Sequence, residues 1–143
     1  MIRIVKFRKL VEKDLPFLLE IRNNDSTRKF LRDNRVFKLD QCKNWFGKLE
    51  SPFFIIYDSL SKNDVGYFRT DGVSIGCDIH PDYRRMGYAR LAYLEYLKDN
   101  PYATLWVFKE NFAINLYLDL GFKLTGNSQI IRGLVEVEMI YSK

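Results

Sequence analysis

The sequence predicts a single α/β domain over residues 1–143, with a mixed, mostly antiparallel central sheet flanked by helices. Its length of 143 residues suits one sizeable hydrophobic core and is short for two. Hydrophobic residues make up 47% of the chain and charged residues 29%, which is the balance of a soluble globular protein. Segments with strand period and helix period follow one another in the order β-α-α-β-β-β-α-β-α-β-β, with no internal repeat or linker.

The N-terminal segment predicts a strand followed by a helix. Ile2, Ile4 and Phe7 fall near the two-residue period of a strand. Residues 12–24 then change to the helical period, with Asp14 as the predicted N-cap and a proline that the first turn tolerates. A helix is therefore expected directly after the first strand.

A second helix and an antiparallel meander come next. Residues 38–50 carry apolar side chains at i, i+3, i+4 and i+7, which predicts an amphipathic helix with Asp40 as its cap. Three strand-like segments follow, at residues 52–58, 64–70 and 73–80. Asp71 and Gly72 form a tight-turn signal between the last two, so these strands are expected to pair in sequence.

The C-terminal half alternates helices and strands. After the proline at position 81, a helix carries an apolar stripe of Leu91, Leu94 and Leu97, widened by Tyr93 and Tyr96. The remaining elements are a strand at 102–108, a helix at 111–120 and strands around 122–125 and 134–142. Gly121 is the predicted C-terminal cap of the last helix.

Charge and cysteine content exclude little by themselves. The formal net charge is +5 with basic residues scattered along the chain, which favours anionic partners of any kind. Cys42 and Cys77 have no metal-like or redox-like spacing, so we expect reduced thiols in a cytoplasmic protein. With His80 as the single histidine, no metal site is expected. The N-terminal residues lack the apolar core of a signal peptide and the longest apolar run is too short to cross a bilayer, so no membrane association is expected.

The stretch "HPDYRRMGYARL", residues 80–91, places positive charge and a small residue where a helix begins. The first turn of a helix has unpaired backbone N–H groups and the positive end of the helix dipole, so a phosphate binds there readily. Gly87 allows the backbone to approach an anion, and Arg84 and Arg85 add charge-assisted bonds. The alternative is an ordinary solvated basic turn with a glycine at the helix start.

Two motifs carry a resemblance to a known family. Pro81 and the run Arg84 to Ala89 resemble the R/Q-x-x-G-x-G/A turn of the GNAT superfamily of acetyl-CoA-dependent N-acetyltransferases. Residues 113–122, "AINLYLDLGF", resemble its second hallmark, a helix that ends in a tyrosine followed shortly by Gly-Phe. The predicted order of elements matches that superfamily across nearly the whole chain. The resemblance implies one GNAT-like domain that uses acetyl-CoA as cosubstrate and transfers its acetyl group to a primary amine.

The resemblance also implies roles for individual residues. The backbone of Cys77, Asp78 and Ile79 would pair with the pantetheine arm and polarise the thioester carbonyl. The N–H groups of Arg85, Met86, Gly87, Tyr88, Ala89 and Arg90 would hold the pyrophosphate, and Arg84 at the start of the motif is also implied to bind the cofactor. An asparagine often stands seven residues before the tyrosine in that superfamily. Here that position is Glu110, and Asn111 follows one step later.

The catalytic chemistry points to an acid and a base. Tyr117 would protonate the departing thiolate, because a phenol with a pKa near 10 keeps its proton at neutral pH. Its alternative role is a core aromatic. Asp78 and His80 project opposite Ile79, and either is a candidate base for the amine, directly or through water. The alternative for His80 is a structural role. Water is a further candidate for taking the amine proton, in which case no dedicated base exists. In each case the amine attacks directly and forms a tetrahedral intermediate.

The acceptor is predicted less sharply. Residues 18–46 resemble the branch of the superfamily that acetylates nucleotide-linked amino sugars or the N-termini of ribosomal proteins. Arg22, Arg28 and Arg32 would bind an acidic or phosphorylated acceptor, and the alternative is that they form a solvated helix face. We expect a small-molecule amine such as an amino sugar, and a protein N-terminus is the alternative. A non-catalytic acyl-CoA sensor and an RNA-binding module form the rival class. Nucleic acid is not expected, because the aromatics sit at core periods. The protein is expected to be a monomer or homodimer.

Overall fold

The computed structural model describes residues 2–143. Seven strands lie in this range: β1 Val5–Lys9, β2 Phe53–Asp58, β3 Asp64–Thr70, β4 Ile75–Ile79, β5 Tyr102–Phe108, β6 Lys123–Ile131 and β7 Leu134–Ser142. The helices are α1 Leu15–Arg22, α2 Asp25–Arg28, α3 Leu39–Gly47, α4 Tyr88–Asp99 and α5 Ala113–Leu120. The order agrees with the predicted one except for the short helix α2, which the predicted order does not include.

The strands form two antiparallel sheets. One has the order β1-β2-β3-β4 and the other the order β5-β7-β6. The only strand pairing between them in the described residues is an isolated parallel bridge between Ser74 and Thr104, where the Thr104 N–H donates to the Val73 carbonyl at 2.8 Å. The predicted α/β class and its mostly antiparallel pairing are confirmed, and the central sheet is divided at this bridge.

Helices cover both faces of the first sheet. Side chains alternate along β3, so Phe68 and Tyr67 point to opposite faces. Phe68 belongs to the core cluster that β5, β7, α4 and α5 complete. Tyr67 belongs to a second cluster, which α1 and α3 complete. Residues on β4 therefore have one side chain directed toward α4 and α5 and the next toward α1.

The first strand differs in register from the prediction. It begins at Val5, which is buried, and Val5 and Phe7 share the face that packs on the core. Ile2 and Ile4 precede the strand and are 76% and 44% exposed. Ile2 and Ile4 are even-numbered positions and Val5 and Phe7 are odd-numbered ones, so the two isoleucines do not contribute to the buried face.

Of the two predicted helix N-caps, Asp14 stands at the N-cap position of α1 and Asp40 does not stand at that of α3. The carboxylate of Asp14 makes no capping bond to α1 and instead accepts from the Arg8 guanidinium and from the Val11 N–H. Burial opposes the charged form of Asp14, but the Arg8 and Val11 bonds outweigh it and lower its pKa. Asp40 lies inside the first turn of α3, where the Gln41 side chain rather than Asp40 accepts the N–H of the N-cap residue.

Helix α4 buries most of the predicted stripe, with Leu94 as the exception. Its buried residues are Tyr88, Ala92, Tyr93, Tyr96 and Leu97, whereas Leu94 is 47% exposed. Several other signals are confirmed. Gly121 ends α5 with a φ of +105°, and Gly72 takes a φ of +96° in a turn where the Asp71 carboxylate accepts from the N–H groups of two following residues. Cys42 and Cys77 are both free thiols, as predicted.

None of the helices in the described part of the chain has the length and hydropathy needed to traverse a membrane. Within residues 2–143, no cluster of three or more His, Cys, Asp or Glu side chains has the arrangement of metal ligands.

One buried hydrogen bond fastens the start of α4 to the first sheet. The Asp58 carboxylate, which is buried, accepts from the Tyr88 hydroxyl at 2.8 Å and from the N–H groups of Leu60 and Ser61. Tyr88 is the first residue of α4, so this bond positions the turn that precedes the helix.

We expect Tyr88→Phe to lower the free energy of unfolding by about 1.5–3 kcal/mol, because it removes a buried hydrogen bond to a carboxylate. Urea denaturation monitored by circular dichroism measures this change. Tyr102→Phe is the matched control, because Tyr102 is 47% exposed and its hydroxyl makes no hydrogen bond within residues 2–143. Equal stability of the two variants would show that this bond does not hold α4.

Candidate active site

A cleft opens where the two sheets separate. Strands β4 and β5 run parallel from the bridge between Ser74 and Thr104 and then diverge. The larger cavity, which we call the strand cavity, has a volume of about 570 Å³ and is lined by residues 74–78 and 105–108. The adjoining turn cavity, about 440 Å³, is lined by residues 77–79 and by the turn before α4. Both cavities share Cys77, Asp78, Asn111 and Tyr117.

The edge of β4 toward β5 carries unpaired backbone groups. The His80 N–H donates to the Val65 carbonyl at 2.8 Å, and the β3–β4 register is regular from there. Because hydrogen-bonded pairs alternate in an antiparallel ladder, the backbone of Asp78 pairs with β3, and that of Cys77 and Ile79 faces β5. Of the three residues predicted to offer backbone groups, Cys77 and Ile79 therefore face the cleft and Asp78 does not.

The turn before α4 forms a cradle of backbone donors. The N–H groups of residues 85–90 donate to no other group of the described chain, and the first helical bond runs from Leu91 to the Gly87 carbonyl. Arg85 and Gly87 have φ values of +62° and +84°, and such left-handed residues turn successive N–H groups toward one concavity. A Cβ at Gly87 would meet no protein atom within 4 Å, so the space in front of the cradle is open.

The side chains of the cradle do not all face the cleft. The Arg84 guanidinium donates to the Ile79 carbonyl and to the hydroxyls of Ser26 and Thr27, which ties β4 to α2. Its predicted charge-assisted bond to a phosphate is therefore not supported by the geometry. Met86 is exposed and lines neither cavity, whereas Tyr88 and Ala89 line the turn cavity. Arg85 and Arg90 also line it, and they are the cradle arginines exposed to solvent.

Tyr117 lines both cavities. It is buried on α5, and its hydroxyl lies 3.2 Å from that of Tyr93. Gly121 ends the helix, and the Phe122 ring then packs 5.9 Å from the Tyr117 ring, so the Gly-Phe pair fixes the tyrosine in place. Burial raises the pKa of Tyr117 above its ordinary value, and the phenol stays protonated at neutral pH.

The Cys77 side chain faces the same tyrosines. It packs against the core cluster that contains Tyr93 and Tyr117, and it contributes to the raised pKa of both tyrosines. Burial, and then the charge of Asp78, raises the pKa of the Cys77 thiol to about 12. A thiol with this pKa has almost no thiolate at neutral pH and is a poor nucleophile.

Asp78 lies on the opposite face of β4, at the junction of the two cavities. Its carboxylate accepts from the Tyr67 hydroxyl at 2.5 Å, and the two residues are direct cross-strand partners. Burial raises the pKa of Asp78 above its ordinary value, although the Tyr67 bond and nearby arginine charges oppose this rise. The carboxylate is therefore a stronger base than an exposed aspartate.

His80 does not line either cavity. Its ring stacks on Phe17 with centroids 5.4 Å apart, its Nε2 lies 3.1 Å from Glu20, and its Nδ1 accepts the Asp82 N–H. These contacts hold the residues after β4 against α1. The structure therefore separates His80 from the position of a base, in agreement with its structural interpretation.

Asn111 reaches the cleft despite the one-residue shift. It lines both cavities, and its Oδ1 accepts the Ala113 N–H at the start of α5. Its Nδ2 group has no hydrogen-bond partner within residues 2–143 and remains able to donate to a ligand.

Sequence reasoning missed three residues of the cleft: Tyr67, Arg69 and Tyr93. The register of the β3–β4 hairpin was the signal for the first two, because it places Tyr67 opposite Asp78 and Arg69 opposite Gly76. For Tyr93 the sequence offered only its place in the apolar stripe of a helix, which predicts a core residue and not a residue of the cleft.

The chain shares its architecture with several solved structures. Spermidine N-acetyltransferase from Vibrio cholerae, in complex with CoA and spermine, has a TM-score of 0.82 and 21% identity over 95% of this chain and 94% of its own. A GNAT-family acetyltransferase from Bacillus anthracis has a TM-score of 0.79 and 18% identity over 99% and 98% of the two chains. Ribosomal-protein-alanine N-acetyltransferase from Brucella melitensis has a TM-score of 0.75 and 19% identity over 96% and 99%.

The comparison confirms the fold that the two motifs indicated. No protein-family model matches the chain, and no curated protein matches its sequence. The structural likeness spans nearly the whole of each chain, so the chain has the fold of the GNAT acetyltransferases.

Proposed function

We propose that the protein is an acetyl-CoA-dependent N-acetyltransferase that acetylates the primary amine of a small molecule. The observation that carries the proposal is a single cleft in which the N–H cradle of residues 85–90 lies next to the free edge of β4 and the Tyr117 hydroxyl. The shared fold with GNAT acetyltransferases supports it, and the Vibrio cholerae structure of that fold contains CoA.

The cradle fits the pyrophosphate of acetyl-CoA. Backbone N–H groups and the positive end of the 12-residue helix α4 stabilise an anion, and Arg85 adds positive charge at the rim, whereas Arg90 is paired with Asp119. The backbone groups of Cys77 and the N–H of Ile79 lie free on a strand edge and suit the amide groups of the pantetheine arm, whereas the Ile79 carbonyl accepts from Arg84. The bound cosubstrate supplies an acetyl group activated as a thioester.

Tyr117 holds a proton for the sulfur of the leaving group. We assign the donor role in the tyrosine pair to Tyr93, because the Tyr117 proton is then available to the cleft. A hydrogen bond from Tyr117 stabilises the negative charge that develops on the sulfur. Backbone N–H groups at the β4 edge stabilise the charge that develops on the carbonyl oxygen.

The amine attacks directly in this proposal, with no acyl-enzyme. Cys77 is the one nucleophilic thiol in the cleft among residues 2–143, and its raised pKa keeps it protonated. The amine must be neutral to attack, and the Asp78 carboxylate lies in the same cleft with a pKa raised by burial. We assign Asp78 as the base.

A small acceptor suits the shape of the strand cavity. The segment of residues 30–33 borders the cavity on one side, and β6 and β7 border it on another. The Arg32 guanidinium binds the buried Glu136 carboxylate at 2.7 Å and joins these two borders. This enclosure favours a small molecule over a protein N-terminus.

We expect Gly87→Glu to weaken acetyl-CoA binding at least about tenfold, roughly 1.4 kcal/mol, because it places a negative charge in front of the cradle. Isothermal titration calorimetry with acetyl-CoA measures the affinity. Gly126→Glu is the matched control, since Gly126 also has a positive φ and open space at its Cβ but lies on β6. Equal affinity of the two variants would place the phosphates elsewhere.

Tyr117→Phe should lower kcat by about a hundredfold and change KM and acetyl-CoA affinity little, because it deletes only the hydroxyl. Steady-state thiol release with an accepted amine measures both constants. Tyr96→Phe serves as the control for loss of a buried hydroxyl, since Tyr96 packs in the same core but lines neither cavity. A wild-type kcat in the Tyr117 variant, with chemistry rate-limiting, would remove this residue from the mechanism.

Asp78→Asn should lower kcat/KM by about a hundredfold and abolish the loss of rate at low pH that protonation of Asp78 causes. An asparagine still accepts from the Tyr67 hydroxyl, so the local structure is kept. The raised pKa means that the folded state favours the protonated carboxyl, so the wild type loses stability as pH rises through that pKa.

The Asn variant should therefore be at least as stable as the wild type at pH 8, and the difference should shrink as pH falls below the ordinary pKa of aspartate. Thermal melting across this pH range tests the sign, and pH profiles of kcat/KM test the role. A variant that melts lower at pH 8 and keeps the low-pH loss of rate would contradict the assignment.

A further inference from the structure

Two arginines in the strand cavity have no anionic partner. Arg22 from the end of α1 and Arg69 from β3 both line this cavity, and neither forms an ion pair or a side-chain hydrogen bond within residues 2–143. The other charged groups of its lining are satisfied. Their pairs are Arg32 with Glu136, Asp33 with Arg35, and Asp78 with Tyr67.

The position of Arg69 depends on a glycine. Gly76 is its direct partner on β4, and a Cβ built at Gly76 would lie 2.7 Å from one guanidinium nitrogen and 2.8 Å from the Cζ atom. The guanidinium therefore lies across β4, in the space that a side chain at position 76 would occupy. Asp78 is on the same face two residues further along, so the Arg69 guanidinium and the Asp78 carboxylate are neighbours.

Arg22 approaches the same place from α1. Its guanidinium lies 5.8 Å from the centroid of the Phe37 ring, which supports the side chain without neutralising it. The charges of Arg22 and Arg69 both act on the Asp78 carboxyl and on the Tyr67 hydroxyl. The two guanidinium groups and the carboxylate thus surround one end of the strand cavity.

A guanidinium binds carboxylates and phosphates through a planar fork of donors. Arg22 is half-buried and Arg69 is exposed, and two such groups without partners on the lining of one cavity favour a ligand that supplies negative charge. A polyamine carries only positive charge and would be repelled by them. The electrostatics of this cavity therefore differ from what a polyamine acceptor requires.

We propose that the acceptor is a primary amine that also carries an anionic group, a carboxylate or a phosphate, bound by Arg69 and Arg22 with the amine next to Asp78. This inference rests on the proposed acetyltransferase function. It excludes spermidine as the preferred acceptor, although a protein of the same fold is a spermidine N-acetyltransferase.

The test compares acceptors that differ only in the anionic group. Glucosamine 6-phosphate against glucosamine probes the phosphate, alanine against alaninamide probes the carboxylate, and spermidine is the cationic probe. Thiol release gives kcat/KM for each. The wild type should prefer the anionic member of at least one pair by about tenfold or more, the scale of a hydrogen bond to a charged group, and the pair that responds identifies the anion.

Variants test which residues cause the preference for an anionic acceptor. Arg69→Gln and Arg22→Gln should each bring the ratio within the responding pair toward one. Gly76→Ala keeps the arginine but displaces its guanidinium, so it should reduce the ratio in the same direction. Lys6→Gln is the control, because it removes one positive charge from an exposed position on β1 outside both cavities and should leave the ratio unchanged.

A second measurement does not require turnover. The anionic member of the responding pair should raise the melting temperature of the CoA-bound wild type, and should raise that of Arg69→Gln less. Calorimetry with acetyl-CoA is run on the same samples. It tests the proposed cosubstrate site separately from the proposed acceptor site.

Acetyl-CoA binding without any anionic preference in turnover or melting, or with a preference for spermidine, would overturn the acceptor inference and leave the cosubstrate site standing. A ratio reduced as much by Lys6→Gln as by Arg69→Gln would overturn it too. Absence of acetyl-CoA binding would overturn both proposals.

Discussion

The cleft exists because the two sheets are joined at a single bridge. Ser74 and Thr104 pair, and beyond them β4 and β5 diverge, so the facing edges of both strands keep backbone groups without partners. Unpaired backbone groups are unfavourable when they are buried, which means that such an edge must face water or a ligand. Every component of the proposed site lies along this opening: the Cys77 edge, the Tyr117 hydroxyl, the Asp78 carboxylate and the cradle after β4.

The motif before α4 divides its work between side chains and backbone. Arg84 is directed inward to α2 and Tyr88 to Asp58, and these two bonds hold the turn between the sheet and the helix. With the side chains used for positioning, the N–H groups of residues 85–90 are left to bind an anion. The spacing of the motif therefore reflects the geometry of the turn as much as the charge of its ligand.

Local sequence signals predicted most strands and helices, whereas features that depend on contacts between distant residues could not be predicted. The bounds of β3 and β5 agree with the prediction at 64–70 and 102–108, because turn residues punctuate both strands clearly. The first strand was predicted from Ile2, Ile4 and Phe7, of which only Phe7 packs on the core, since isolated isoleucines resemble a buried face as well as Val5 does. Tyr117 and most of the cradle line the cleft, and the sequence predicted these positions because a local motif marks each of them.

Contacts between distant elements left no local signal. The separation of β4 from β5 depends on how two sheets pack, and no window of residues encodes it. His80 was a reasonable base until the structure placed Phe17 and Glu20 against its ring, sixty residues away in the chain. Arg69 escaped notice because its role depends on Gly76 across the hairpin.

The proposed acceptor also explains why arginines lie next to a base. Alone, the positive charges of Arg69 and Arg22 lower the pKa of Asp78 and weaken it as a base, against the larger opposite effect of burial. An anionic group bound between these arginines would cancel part of their field, and the pKa of Asp78 would then rise further. The carboxylate would become a stronger base when an acceptor with the correct charge is in place. Under this assignment the same two guanidinium groups select the acceptor and couple its binding to removal of the amine proton.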